Sequence, residues 1–158
     1  MINILFNIGI DRSGEFKNLP LYVIATREGR LQKMKIINFN KIEYKKYSKE
    51  IEDRELKAYA ILTFLALKPP LIKNGDQIHM CKDYSGSGRE SRFLWYMHKL
   101  FYEFFPGTYP FGEPDIEFHS KKCSDLVKRA HKKCDWTRGG RYKLEKCPNL
   151  YKYFECLE

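Results

Sequence analysis

The sequence has no apolar run near the roughly 20 residues that a membrane-spanning helix needs. It shows no secretory leader either. Met1–Ile10 is apolar, but it runs into Asp11-Arg12 without a basic start or a small-residue cleavage site. Cysteine is scarce and odd in number, with five residues: Cys81, Cys123, Cys134, Cys147 and Cys156. None forms a C-x-x-C knuckle, so His131, Cys134, Cys147 and Cys156 read as a poor zinc site and better as free thiols. Together these absences point to a reducing cytoplasm as the expected location. Internal repeats are missing, which excludes a solenoid. Acid is the scarcer charge, 20 Asp and Glu against 29 Lys and Arg, for a net charge of +9. That balance favours an anionic partner, nucleic acid first and an anionic membrane surface second.

What is present is enough to fold. The 158 residues are 43% hydrophobic and 15% aromatic, which argues against disorder and fits one domain with a sizeable core. The chain divides into a domain over residues 1–134 and a basic, aromatic, Cys-containing extension over 135–158, packed on the domain or following it.

The patterns predict an α/β fold. Ile2–Ile10 reads as a buried strand ending at the turn signal Asp11-Arg12-Ser13-Gly14. Leu21–Thr26 and Leu31–Phe39 are the next two strands, joined by Glu28-Gly29-Arg30 into a meander. The period then becomes helical over Glu43–Lys68 until Pro69-Pro70. Gln77–Lys82 is a fourth strand and Arg89–Phe105 an amphipathic helix. Asp115–His119 is a fifth strand, and Ser120–Lys133 a last helix. The order β-β-β-α-β-α-β-α implies a mixed five-stranded sheet with helices on both faces.

The carboxylates fall at telling places in that plan. Asp11 closes the first strand, Asp83 follows the fourth, Glu55 lies in the first long helix and Asp125 opens the last. If the first and fourth strands are neighbours, Asp11 and Asp83 face each other at the carboxyl edge of the sheet, where open α/β sheets place their sites. Gathered carboxylates repel unless a cation neutralises them. Mg²⁺ or Mn²⁺ takes such hard oxygen ligands, and a pair of ions can clamp both oxygens of a phosphodiester displacement. Other roles stay open: Asp11 and Asp83 as turn acids, Glu55 as a solvated helix acid with Glu50 and Glu52 as competitors, and Asp125 as a first-turn acid. Glu15 and Glu90 are possible substitutes.

Four segments carry a resemblance: Ile8-Gly9-Ile10-Asp11-Arg12-Ser13-Gly14, Asp53-Arg54-Glu55-Leu56-Lys57-Ala58-Tyr59-Ala60, Met80-Cys81-Lys82-Asp83-Tyr84-Ser85 and Cys123-Ser124-Asp125-Leu126-Val127-Lys128-Arg129-Ala130. In that order and in those elements the chain resembles the ribonuclease H-like nuclease superfamily, over about Ile2 to Lys133. The resemblance implies a metal-dependent endonuclease whose ligands are Asp11, Glu55, Asp83 and Asp125. It also implies a mobile His119 that aids proton transfer or product release, and an RNA–DNA hybrid, or DNA, as substrate. A resolvase or transposase-like core, or a non-catalytic binding module, fits the same fold. Basic residues with interleaved aromatics suit sugar-phosphate and base contact. They name Arg12, Lys121, Lys122, Lys128, Arg129, Lys132, Lys133, Trp136, Arg138 and Arg141 as expected nucleic-acid contacts. Whether the chain is a monomer or a homodimer is not legible.

Overall fold

The computed structural model describes residues 7–27, 34–67, 77–81, 88–106, 115–119 and 145–158. β1 (Asn7–Glu15), β2 (Asn18–Arg27) and β3 (Met34–Phe39) form the antiparallel meander that their β-branched and aromatic runs predict. β4 (Gln77–Cys81) lies parallel to β1, and β5 (Asp115–His119) parallel to β4. The protein is thus α/β, built on a mixed sheet of order β5-β4-β1-β2-β3-β6.

Three expectations need correction. Among the described residues the sheet has six strands rather than five, because β6 (Glu145–Lys146) adds itself parallel to β3. The first strand does not stop at Asp11. It continues to Glu15 because Arg12 and Ser13 keep pairing with Val23 and Tyr22, and an irregularity in register between Ser13 and Glu15 takes up Gly14. The chain turns only at Phe16-Lys17. The helix expected over Glu43–Lys68 is two helices, α1 (Lys41–Lys45) and α2 (Arg54–Leu67). Residues 46–53 separate them, and Asp53, directly before α2, has φ of 55°, a left-handed conformation that Asp tolerates better than most residues. The Tyr96 hydroxyl donates to its Oδ2 at 2.8 Å, and Arg92 pairs with the same oxygen at 3.2 Å.

α2 is mostly apolar all round, with Lys57 and Thr63 as exceptions, and every residue from Leu56 to Leu67 is buried. A helix of that kind belongs inside a protein. The sheet lies on one side of it, with α3 (Arg89–Phe104) and α4 (Tyr151–Cys156) on others. The Thr63 hydroxyl is satisfied within the helix, since Oγ1 donates to the Tyr59 carbonyl at 2.8 Å. Phe64 is the hub, with ring centroids of Phe101, Phe104, Phe105 and Tyr153 between 4.9 and 5.9 Å away. Cys147, Leu150, Tyr153, Phe154 and Leu157 join the same core, so the end of the chain is part of the fold. Residue 134, where the sequence suggests a boundary, and the helix expected over Ser120–Lys133 lie outside the described residues. No described helix is long and apolar enough to cross a membrane.

Candidate active site

Strand alternation sorts the sheet into two chemically different faces. Ile8, Ile10, Val23, Ala25, Ile78 and Met80 share one face, and all are fully buried. Phe118 belongs to it and meets Phe93 of α3 at 6.0 Å. Arg12 does too, with its guanidinium 5.3 Å from the Tyr59 ring centroid of α2. This is the helix-covered face.

The opposite face carries Asp11, Tyr22, Asn38, His79 and Glu117 along with Ile24. His79 Nδ1 and Glu117 Oε2 are 3.8 Å apart on neighbouring parallel strands. Asp11 is 1% exposed. A carboxylate so deeply placed needs donors, and the backbone N–H of Arg12 donates to its Oδ1 at 2.8 Å.

The position of Asp11 matters more than its burial. β1 pairs antiparallel with β2 on one edge and parallel with β4 on the other, so the sheet changes sense at β1. The strand order also reverses there, with β2 and β3 following on one side of β1 and β4 and β5 on the other, which makes the β1–β4 edge the topological switch point of the sheet. Ile10 pairs with Met80, so Asp11 and Cys81 come next in register. Cys81 in turn pairs with His119. Asp11 and the backbone of His119 therefore share one row across three parallel strands, about 10 Å apart at ~4.8 Å per strand.

The sequence plan set Asp11 and Asp83 face to face only if the first and fourth strands are neighbours, and the two strands are paired. The remaining site residues are placed as follows. Glu55 is exposed in the first turn of α2, on the helix side of the sheet, whereas Asp11 is on the other face. Asp83 and Asp125 lie outside the described residues. So do Lys121, Lys122, Lys128, Arg129, Lys132, Lys133, Trp136, Arg138 and Arg141. Arg12 is half-buried against Tyr59. Among the described residues no group of three His, Cys, Asp or Glu side chains stands close enough to hold a metal ion. Cys147 and Cys156 are free thiols. Burial pushes the Cys147 thiol up to about 12, with the nearby Glu43 adding to the rise, so it stays protonated.

His79 and Glu117 were missed by sequence reasoning. Their signal is a polar residue at alternate positions of strands otherwise Ile, Met and Phe, in Gln77-Ile78-His79-Met80 and Asp115-Ile116-Glu117-Phe118. Set against known proteins, the sequence matches no family model and no curated protein.

Proposed function

We propose that the chain is a metal-dependent endonuclease of the ribonuclease H-like kind, acting on the RNA strand of RNA–DNA hybrids. The observation that carries this reading is Asp11, a buried carboxylate on the strand where the sheet changes sense. The antiparallel meander, followed by parallel β4 and β5, supports it. So does the placement of β4, whose next residues lead to Asp83. The net charge of +9 supports a polyanionic substrate.

Oxygen donors are what Mg²⁺ or Mn²⁺ takes. Asp11 and Asp83, with Glu55 and Asp125, are the residues that would hold the ion. When bound, it would neutralise phosphate charge and lower the pKa of water. The chain's own part is to fix the Asp11 carboxylate through the Arg12 N–H and to bring His119 to the same row of the sheet. The free thiols support the cytoplasm as the location.

The test is cleavage of labelled RNA–DNA hybrid, double-stranded DNA, single-stranded RNA and a four-way junction, with Mg²⁺, Mn²⁺ or EDTA. The reading requires metal-dependent cutting of the hybrid that disappears in Asp11→Asn. Cutting of the junction alone would reassign the chain to a resolvase-like activity. A second reading, a nucleic-acid-binding module without catalysis, is favoured by the placement of Asp11 and Glu55 on different faces. It requires salt-sensitive binding and no turnover with either metal.

A further inference from the structure

Between the tip of the β1–β2 hairpin and α1 lies a cleft of about 380 Å³. Five cations line it, Lys17, Lys41, Lys45, Lys49 and Arg54, with aromatic rings between them and no carboxylate. The local sequence explains the one-sided charge. In α1, Lys41, Tyr44 and Lys45 stand at i, i+3 and i+4 and share a side of the helix. The helix's single acid, Glu43, is buried, pairs with Lys46 at 3.3 Å and does not line the cleft. Among the described residues none of the four lysines has an ion-pair partner.

The walls are firmly held. Arg54 lies 4.0 Å over the Tyr44 ring and donates to the Tyr47 carbonyl at 3.1 Å. The Tyr47 hydroxyl accepts from the Leu150 N–H at 2.7 Å, and the Tyr151 hydroxyl donates to the Lys46 carbonyl at 2.6 Å. The C-terminal segment thus braces the turn that presents the cations.

Like charges converging on a concave wall repel one another, and such a wall focuses an electrostatic field on an anion. A single phosphate engages one or two cations. Five cations lining one cleft of this volume, with no carboxylate among them, offer more positive charge than one phosphate neutralises and match a chain of phosphates. We propose that this cleft grips the phosphate backbone of a nucleic-acid strand. It lies at the end of the sheet toward which β1 runs from Asp11. The gripping itself does not depend on cleavage.

The test uses the full chain in EDTA, with fluorescence anisotropy of a labelled RNA–DNA hybrid across a salt series. Removing one cation from a phosphate lowers the slope of log K against log salt by about 0.9. Lys41→Gln with Lys45→Gln should therefore lower it by about 2, and adding Lys17→Gln by about 3. The control Lys99→Gln with Lys152→Gln, away from the cleft, should leave the slope unchanged. Thermal melts confirm that the variants are folded. Slopes unchanged in the cleft variants, or lowered equally in the control, would overturn the proposal. So would displacement of the hybrid by inorganic phosphate as effectively as by unlabelled hybrid. Cleft-dependent binding to phosphatidylserine vesicles without binding to the hybrid would overturn it as well. Because metal is absent throughout, binding is read apart from cleavage: a chain that binds through the cleft but cuts no substrate once Mg²⁺ or Mn²⁺ is supplied would sink the nuclease reading and leave this one standing.

Discussion

The two faces of one sheet are made from the same strands, yet they obey different rules. On the helix-covered face the buried strand positions from β1 to β4 are all apolar, Arg12 sits half-buried at the hairpin end, and α2 is buried along its whole apolar length. On the other face the strands put Asp11, His79, Glu117, Tyr22 and Asn38 at alternate positions. Uniform apolar burial stabilises at roughly 25 cal/mol per Å² and asks nothing of geometry beyond fit. A buried carboxylate does the reverse, since it costs stability unless donors are supplied and is retained where chemistry needs it. The contrast separates a face that holds the protein together from a face that can act.

The contrast can be broken most decisively at Asp11. Asp11→Asn keeps the shape and removes the charge. It should reduce metal-dependent cleavage of the hybrid by more than about 100-fold, beyond the 10–100-fold that residues merely supporting a metal site cost. The cooperative thermal transition should be retained. Equal loss of activity and of folding would mean that the two faces are not separable. The opposite experiment is Phe64→Ala in the helical layer. It should cost about 3–5 kcal/mol in urea unfolding while leaving cleavage per folded molecule unchanged. A smaller effect is expected at the rim of that layer. Tyr96→Phe deletes a 2.8 Å hydrogen bond to Asp53 but leaves Arg92 as its partner. A cost of about 1–2 kcal/mol in urea unfolding follows from losing a hydrogen bond to a charged group that is partly solvated.

How far the sequence could be read follows the same division. Strands β2, β4 and β5 were legible because their apolar periodicity and flanking turn residues agree. β5 was bounded at Asp115–His119 from sequence and is observed there. The end of β1 was misread because Asp11-Arg12-Ser13-Gly14 has turn composition. Pairing with Val23 and Tyr22 overrides that local preference. The break between α1 and α2 was invisible because it rests on long-range contacts of Asp53 with Tyr96 and Arg92, residues about forty positions away. β6 could not be foreseen from a two-residue segment whose only support is its pairing with Ile37 and Asn38. At the site, the pairing of β1 with β4 entered the sequence reading only as a condition, and the parallel register supplies it. The side of the sheet on which Glu55 lies depended on where α2 packs, and no spacing encodes that.

The smallest effect expected is silent at neutral pH and separates the faces by titration. The helical layer holds two tyrosines with strongly raised pKa values. Burial pushes Tyr47 up to about 12, against the bond from the Leu150 N–H, which lowers it. Burial and then the bond to Asp53 push Tyr96 up to about 12. Both hydroxyls are neutral in the folded protein where an exposed tyrosine, with a pKa near 10, already ionises. The folded state therefore binds more protons than the unfolded chain between about pH 10 and pH 12, and stability must fall as pH rises through that window. Below about pH 10 the contribution is fully present. The decline of the urea midpoint that begins near pH 9, where the unfolded Cys147 thiol ionises, should steepen above about pH 10 as these tyrosines add to it. In Tyr47→Phe with Tyr96→Phe the midpoint should start lower and decline less steeply. A decline as steep in the double variant would place the alkaline weakness elsewhere than in these two buried hydroxyls.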